Sequence, residues 1–99
     1  MPPDPLEALR HRFRRRCLDD LHTLRVALAD PARAPDSTFA TAMHRLSGAA
    51  GSFGYRELSR LAAVVDDELA QARTPTPANL ERLERELEAV ASLAGPGAD

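Results

Sequence analysis

Lysine and tryptophan are both missing from this 99-residue chain, and each absence excludes something. With no tryptophan and aromatics at only 4%, the core has to come from the leucine, alanine and valine of a 43% hydrophobic composition, which favours an all-helical protein. With no lysine, all thirteen basic residues are arginine, a compositional habit that accompanies abundant alanine and proline. Cysteine is almost missing as well. The lone Cys17 cannot form an intrachain disulfide, and its place on an apolar stripe reads as a small core residue rather than a reactive thiol. Charge of one sign is not in excess: a formal −2 gives no overall pull toward nucleic acid or anionic membrane. No apolar run approaches the roughly twenty residues of a membrane span. The Pro-rich, charged N-terminus does not read as a signal peptide, so a cytoplasmic protein is expected. There is no strand-like alternation and no internal repeat. No Gly-rich phosphate loop leads to a lysine, so no ATP-binding or kinase domain is expected in this chain.

What is present is four amphipathic stretches within a length that suits a single domain, 1–99, with one modest core. The first opens on Asp4-Pro5-Leu6-Glu7, with Asp4 as N-cap, Pro5 at the first helical position and Glu7 placed to return the capping bond. Leu6, Leu9, Phe13, Cys17, Leu21, Leu24 and Leu28 then recur at three or four residues, so a helix is expected over 5–29. Asp30 to Pro35 is a proline-broken linker, after which Asp36 or Ser37 caps a second helix over 36–52. A third, over 55–72, carries Leu58, Leu61, Ala62, Val65 and Leu69. Thr76 and Pro77 start a fourth over 77–94, with Leu80, Leu83, Leu87 and Val90 as its seam, and Gly95-Pro96-Gly97 is a stop. The simplest packing is an antiparallel up-down-up-down four-helix bundle. A monomer is expected, because the four stripes satisfy one another. Val26 and Val64 fall off them and mark either a dimer contact or nothing.

The second helix holds the chain's most informative residues. Phe39, Met43, Leu46 and Ala50 define its core side, and His44 lies roughly 130° around from the middle of that stripe at the helical angle. Ser37, Ala40, Thr41, Ser47, Gly48 and Gly51 surround His44, so the imidazole is expected to be exposed and unobstructed. Two glycines inside a helix cost roughly 1 kcal/mol each relative to alanine, and close approach by another surface is the expected compensation. An ordinary surface histidine beside a tightly packed helix pair is the plainer account of the same residues. His11 and His22 are also expected to be exposed, but among bulky or charged neighbours, and serve as comparisons.

Other clusters invite sharper readings that the residues do not sustain. Arg10, Arg12, Arg14, Arg15 and Arg16 suggest a nucleic-acid footprint, yet aromatics are lacking nearby and Asp19 and Asp20 follow at once. A solvated face pairing with the acidic last helix is the simpler account. Asp66, Asp67 and Glu68 suggest a metal site, but successive helical residues point about 100° apart and cannot converge on one ion. They read as solvated charge, and no metal site is expected.

The segment His44-Arg-Leu-Ser-Gly-Ala-Ala-Gly-Ser-Phe-Gly-Tyr-Arg-Glu-Leu58 resembles the signature of histidine-containing phosphotransfer domains of bacterial phosphorelays: a histidine, a glycine four residues on, a small-residue run, and a glycine before the next helix. The resemblance implies that His44 accepts a phosphoryl group from a receiver-domain aspartate or a sensor histidine kinase and passes it to a response regulator. It implies no cofactor on this chain, the magnesium ion and a lysine being brought by the receiver. Ala40, Thr41, Arg45, Ser47, Gly48, Gly51 and Tyr55 would form the phosphoryl and partner surface, with Gly48 leaving room for the approaching group. Ala40 and Tyr55 are read either as apolar docking contacts or as lightly buried packing residues. One departure stands out. Where the family usually has a lysine, three residues after the histidine, this chain has Ser47, which can donate a hydrogen bond but no charge. Arg45, if it curls back, or Arg56 on the next helix is a possible substitute. The alternative is a helical adaptor that binds a signalling partner through the same surface without being phosphorylated.

Overall fold

The computed structural model describes residues 4–30 and 36–94, so the linker expected up to Pro35 and the Gly95-Pro96-Gly97 stop lie outside the described residues. Four α-helices follow one another: α1 (Pro5–Ala29), α2 (Ser37–Ser52), α3 (Arg56–Ala70) and α4 (Pro77–Ala91), the last closing in a 3-10 turn at Ser92–Ala94. No strand occurs among the described residues.

Cross-helix contacts give the arrangement. Phe13 of α1 stacks on Phe53 just beyond α2 at 5.1 Å, while Asp20 reaches Arg45 at 3.6 Å, so numbering rises along α1 as it falls along α2. Ser59 hydrogen-bonds the carbonyl of Ser47 and Asp66 meets His44, which sets α3 antiparallel to α2. Glu68 accepts hydrogen bonds from Thr76 and Asn79 while Glu57 and Leu61 share a groove with Arg82, Arg85 and Glu86, which sets α4 antiparallel to α3. Arg25 of α1 pairs with Glu84 at 2.9 Å and with Glu88, tying the first helix to the last. The enclosed core runs from Phe13 and Cys17 through Met43, Leu46, Leu58 and Val65 to Leu83 and Leu87.

The helix ends follow local chemistry. Asp4 accepts from the Leu6 amide at 3.0 Å and Asp36 from the Phe39 amide at 2.8 Å. Glu7 does not return a capping bond as the sequence suggested; it pairs with Arg10 and Arg14, because a salt bridge on the outer face outbids an exposed backbone amide. Helix α2 ends in a Schellman arrangement: the Tyr55 amide reaches the Ala50 carbonyl at 2.9 Å, the Gly54 amide reaches Gly51, and Gly54 takes the left-handed φ of 86° that this turn requires.

The α1 stripe departs from expectation at both extremes. Leu6 and Leu9 are exposed, because α2 turns back beside Phe13 and leaves the first turns of the longer α1 without a neighbour from that side. Asp20, expected on the outer face, is buried. The sequence stripe gave α1 one inner face, whereas contact with both α2 and α4 widens the covered arc enough to take in Asp20 and Ala27.

Candidate functional site

Helix α2 is rotated by its own core residues. Met43 and Leu46 are buried on one side and leave the His44 side chain 80% exposed. Thr41 and Gly48 are exposed beside it, and Ala40 and Ser47 are half-buried. A Cβ built on Gly48 would meet nothing within 4 Å, so nothing inside this chain demands glycine there. Gly51 differs. Its Cβ would lie 3.2 Å from Ser59 Oγ, which already donates to the Ser47 carbonyl at 2.8 Å, so Gly51 lets α3 pack closely against α2.

That packing delivers a residue the sequence reading misplaced. Asp66 Oδ2 lies 3.0 Å from His44 Nδ1, and Asp66 is about three-quarters covered. An ionised carboxylate only accepts hydrogen bonds, so Nδ1 carries the proton and the Nε2 lone pair faces away, into the open. On the sequence, Asp66 groups with Asp67 and Glu68 as solvated charge. The structure separates the three. Asp67 is exposed, Asp66 holds the imidazole, and Glu68 accepts from the Thr76 amide and hydroxyl and from Asn79, bracing the α3–α4 turn. The missed signal was register: the turn at Gly54 and Tyr55 folds α3 back on α2, and counting eleven residues outward from Tyr55 in each direction reaches His44 and Asp66.

The expected cations are elsewhere. Arg45 does not curl back to His44; it leans to the opposite flank of α2, toward Asp20 of α1. Burial pushes the Asp20 carboxyl above its ordinary range, opposed by the nearby Arg45 and Arg16 guanidinium groups. Arg56 lies ten positions before Asp66 on α3, which at about 1.5 Å per residue is some 15 Å along the axis. Ser47 puts its carbonyl, not a charge, into the α2–α3 contact. Among the described residues, the charged group in contact with His44 is therefore the negative Asp66.

Tyr55 is half-buried, with its ring 5.5 Å from Phe13 and its hydroxyl 3.5 Å from an Arg14 nitrogen, so it serves the packing of the bundle end. Arg14 accordingly belongs to that end and not to an open basic face. His22 is exposed as expected, while His11 is half-buried. Val26 is exposed and Val64 half-buried. Cys17 is fully covered and its thiol is pushed up to about 12, chiefly by burial, which removes it from nucleophilic chemistry near neutrality. Among the described residues no group of three or more His, Cys, Asp or Glu is placed to hold a metal ion, and no helix is long and apolar enough to cross a membrane.

A protruding imidazole with Nδ1 hydrogen-bonded and Nε2 open, on a helix of small residues, has the geometry of a nucleophile toward an electrophile brought by another molecule. A family model described as Hpt domain matches residues 8–93. No curated protein and no solved structure matches the chain.

Proposed function

The chain belongs to the Hpt domain family, and from that premise we propose that His44 accepts a phosphoryl group from a receiver-domain aspartate or a sensor histidine kinase and hands it to a response regulator. The observation that carries this reading is the exposed His44 ring with Nδ1 tied to Asp66 and Nε2 open. In the transfer, the Nε2 lone pair forms the N–P bond as the P–O bond to the receiver aspartate breaks, and that bond's electron pair stays on the aspartate oxygen. Such a step depends mainly on in-line approach and on neutralising charge spread over the phosphoryl oxygens. The bare Gly48 supports the first requirement, since an open surface lets the donor align. The second falls to the partner, with the magnesium ion and lysine expected on a receiver, because Ser47 carries no charge and Arg45 is turned to Asp20.

The test is phosphoryl transfer from several phosphorylated receiver domains to the wild-type chain, His44→Gln and His22→Gln. Acid-labile, alkali-stable label on the wild type and on His22→Gln, with none on His44→Gln, is the expected result. A folded wild type that takes no label from any receiver or kinase, yet still binds one, would instead make the chain an unphosphorylated adaptor.

A further inference from the structure

Asp66 sits where it can do more than orient a ring. We infer, on the reading of His44 as phospho-acceptor, that Asp66 is a positioning residue that keeps the proton on Nδ1 throughout the cycle, so that the domain is set to hand its phosphoryl group on across a wide pH range.

When Nε2 forms its bond to phosphorus, the ring becomes cationic, and its positive charge is shared with the Nδ1 proton. Asp66 Oδ2, 3.0 Å from that nitrogen, accepts its N–H hydrogen bond and gives the proton a fixed partner. Asp66 is about three-quarters covered, which holds its carboxylate in place against a ring that is itself open to solvent. In the outward step an oxygen of the receiving aspartate forms the new P–O bond, and the N–P electron pair returns to Nε2. With Nδ1 still protonated, the leaving group is a neutral imidazole and no proton has to be taken from water. If Nδ1 has lost its proton, the leaving group is an imidazolate, a far poorer one. The Asp66 contact thus decides whether release is independent of pH.

Among the described residues, the charged group in contact with the ring is Asp66. From α2, Arg45 leans away to Asp20 and Ser47 is uncharged. From α1, Arg16 and Asp19 act, together with Arg45, on the buried Asp20 on the far flank of α2. On α3 itself, Asp67 is exposed and Glu68 is committed to Thr76 and Asn79. From α4, the polar groups reaching α3 near this level are Thr76 and Asn79, both on Glu68. A carboxylate behind the ring, with Ser47 uncharged and Arg45 turned away, suits handing the phosphoryl group on.

The experiment compares wild type, Asp66→Asn and Asp67→Asn, each phosphorylated and then mixed with a receiver, with the outward rate followed from pH 6 to pH 9. Melting temperatures confirm that each is folded, and ¹⁵N shifts of the imidazole report the tautomer. Wild type and Asp67→Asn should show a flat profile and an Nδ1–H ring. Asp66→Asn keeps the shape but not the charge, and its outward rate should fall with rising pH, by about tenfold or more at the alkaline end. A flat profile in a folded, labelled Asp66→Asn overturns the inference while leaving His44 as acceptor. No label on the wild type overturns the phosphotransfer reading itself.

Discussion

At the scale of single residues, Gly48 and Gly51 look alike in the sequence and are opposites in the structure. Gly51 faces Ser59 across a close helix contact, and its lack of a side chain is used internally. Gly48 faces open space, and a methyl group there meets nothing of its own chain. Alanine at Gly48 should therefore recover up to about 1 kcal/mol of helix propensity, which for a domain of this size corresponds to a rise in melting temperature of about 4–8 °C. The same methyl stands one turn from His44, in the path of an approaching donor. Gly48→Ala should melt higher and transfer more slowly, and calorimetry and transfer assays on one preparation separate the two effects. Unchanged transfer would mean that no partner approaches that closely. His44 itself was legible because a polar ring among small residues, off the apolar stripe, has nowhere to hide. Asp66 was not, because its role depends on which residue of another helix stands opposite.

At the scale of elements, each helix ends where its local chemistry dictates, and the exception is instructive. Helices α2 and α3 both close in a Schellman arrangement, with Arg73 reaching the Glu68 carbonyl at 2.9 Å and Ala72 reaching Leu69 at 3.0 Å in the second case. The first uses Gly54 at the left-handed position; the second uses Ala72, at a φ of 55°. A Cβ in that conformation costs about 1–2 kcal/mol, held in place here by Glu68, which grips the Thr76 amide and hydroxyl on the far side of the turn. Ala72→Gly should stabilise the fold by about 0.5–1 kcal/mol once the greater freedom of glycine in the unfolded chain is deducted, measurable as a shift of the urea midpoint at unchanged slope. The sequence shows where this turn lies from Thr76 and Pro77, and Thr76 stands at the N-cap as expected. It did not show that a glutamate two turns back would brace it, since the Thr76 hydroxyl donates to Glu68 instead of capping its own helix.

At the scale of the whole molecule, the acidic limb of stability reflects how α1 meets α2. Asp20 is buried between them with its carboxyl pushed up by desolvation, and Arg45 offsets part of that cost. A carboxyl whose folded pKa is raised weakens the fold above that pKa and ceases to do so as pH falls through it. Removing the guanidinium leaves the buried carboxylate unpaired, so Arg45→Ala should cost about 1–3 kcal/mol near neutrality. The loss should shrink as the solution is acidified from neutrality toward the raised Asp20 pKa. At lower pH still, carboxyls with depressed pKa such as Glu68, whose charged form is held by Thr76 and Asn79, withdraw stability from wild type and variant alike. Denaturant titrations of both proteins across this range check the sign. A loss independent of pH would mean that Arg45 contributes through packing alone.

The four helices, their starts, most of the core and the exposed placement of His44 were legible in the sequence alone. All of these follow from near-neighbour spacing, capping and turn residues, and such signals act within a few positions along the chain. Only the tertiary structure decided that Asp66 holds His44, that Asp20 is buried beneath Arg45, that Gly51 serves the protein's own packing while Gly48 is open, and that Tyr55 stacks on Phe13. Each of these depends on the register and rotation of one helix against another. Those are fixed by how the whole core closes, and periodicity along one helix carries no information about which residue of its neighbour stands opposite.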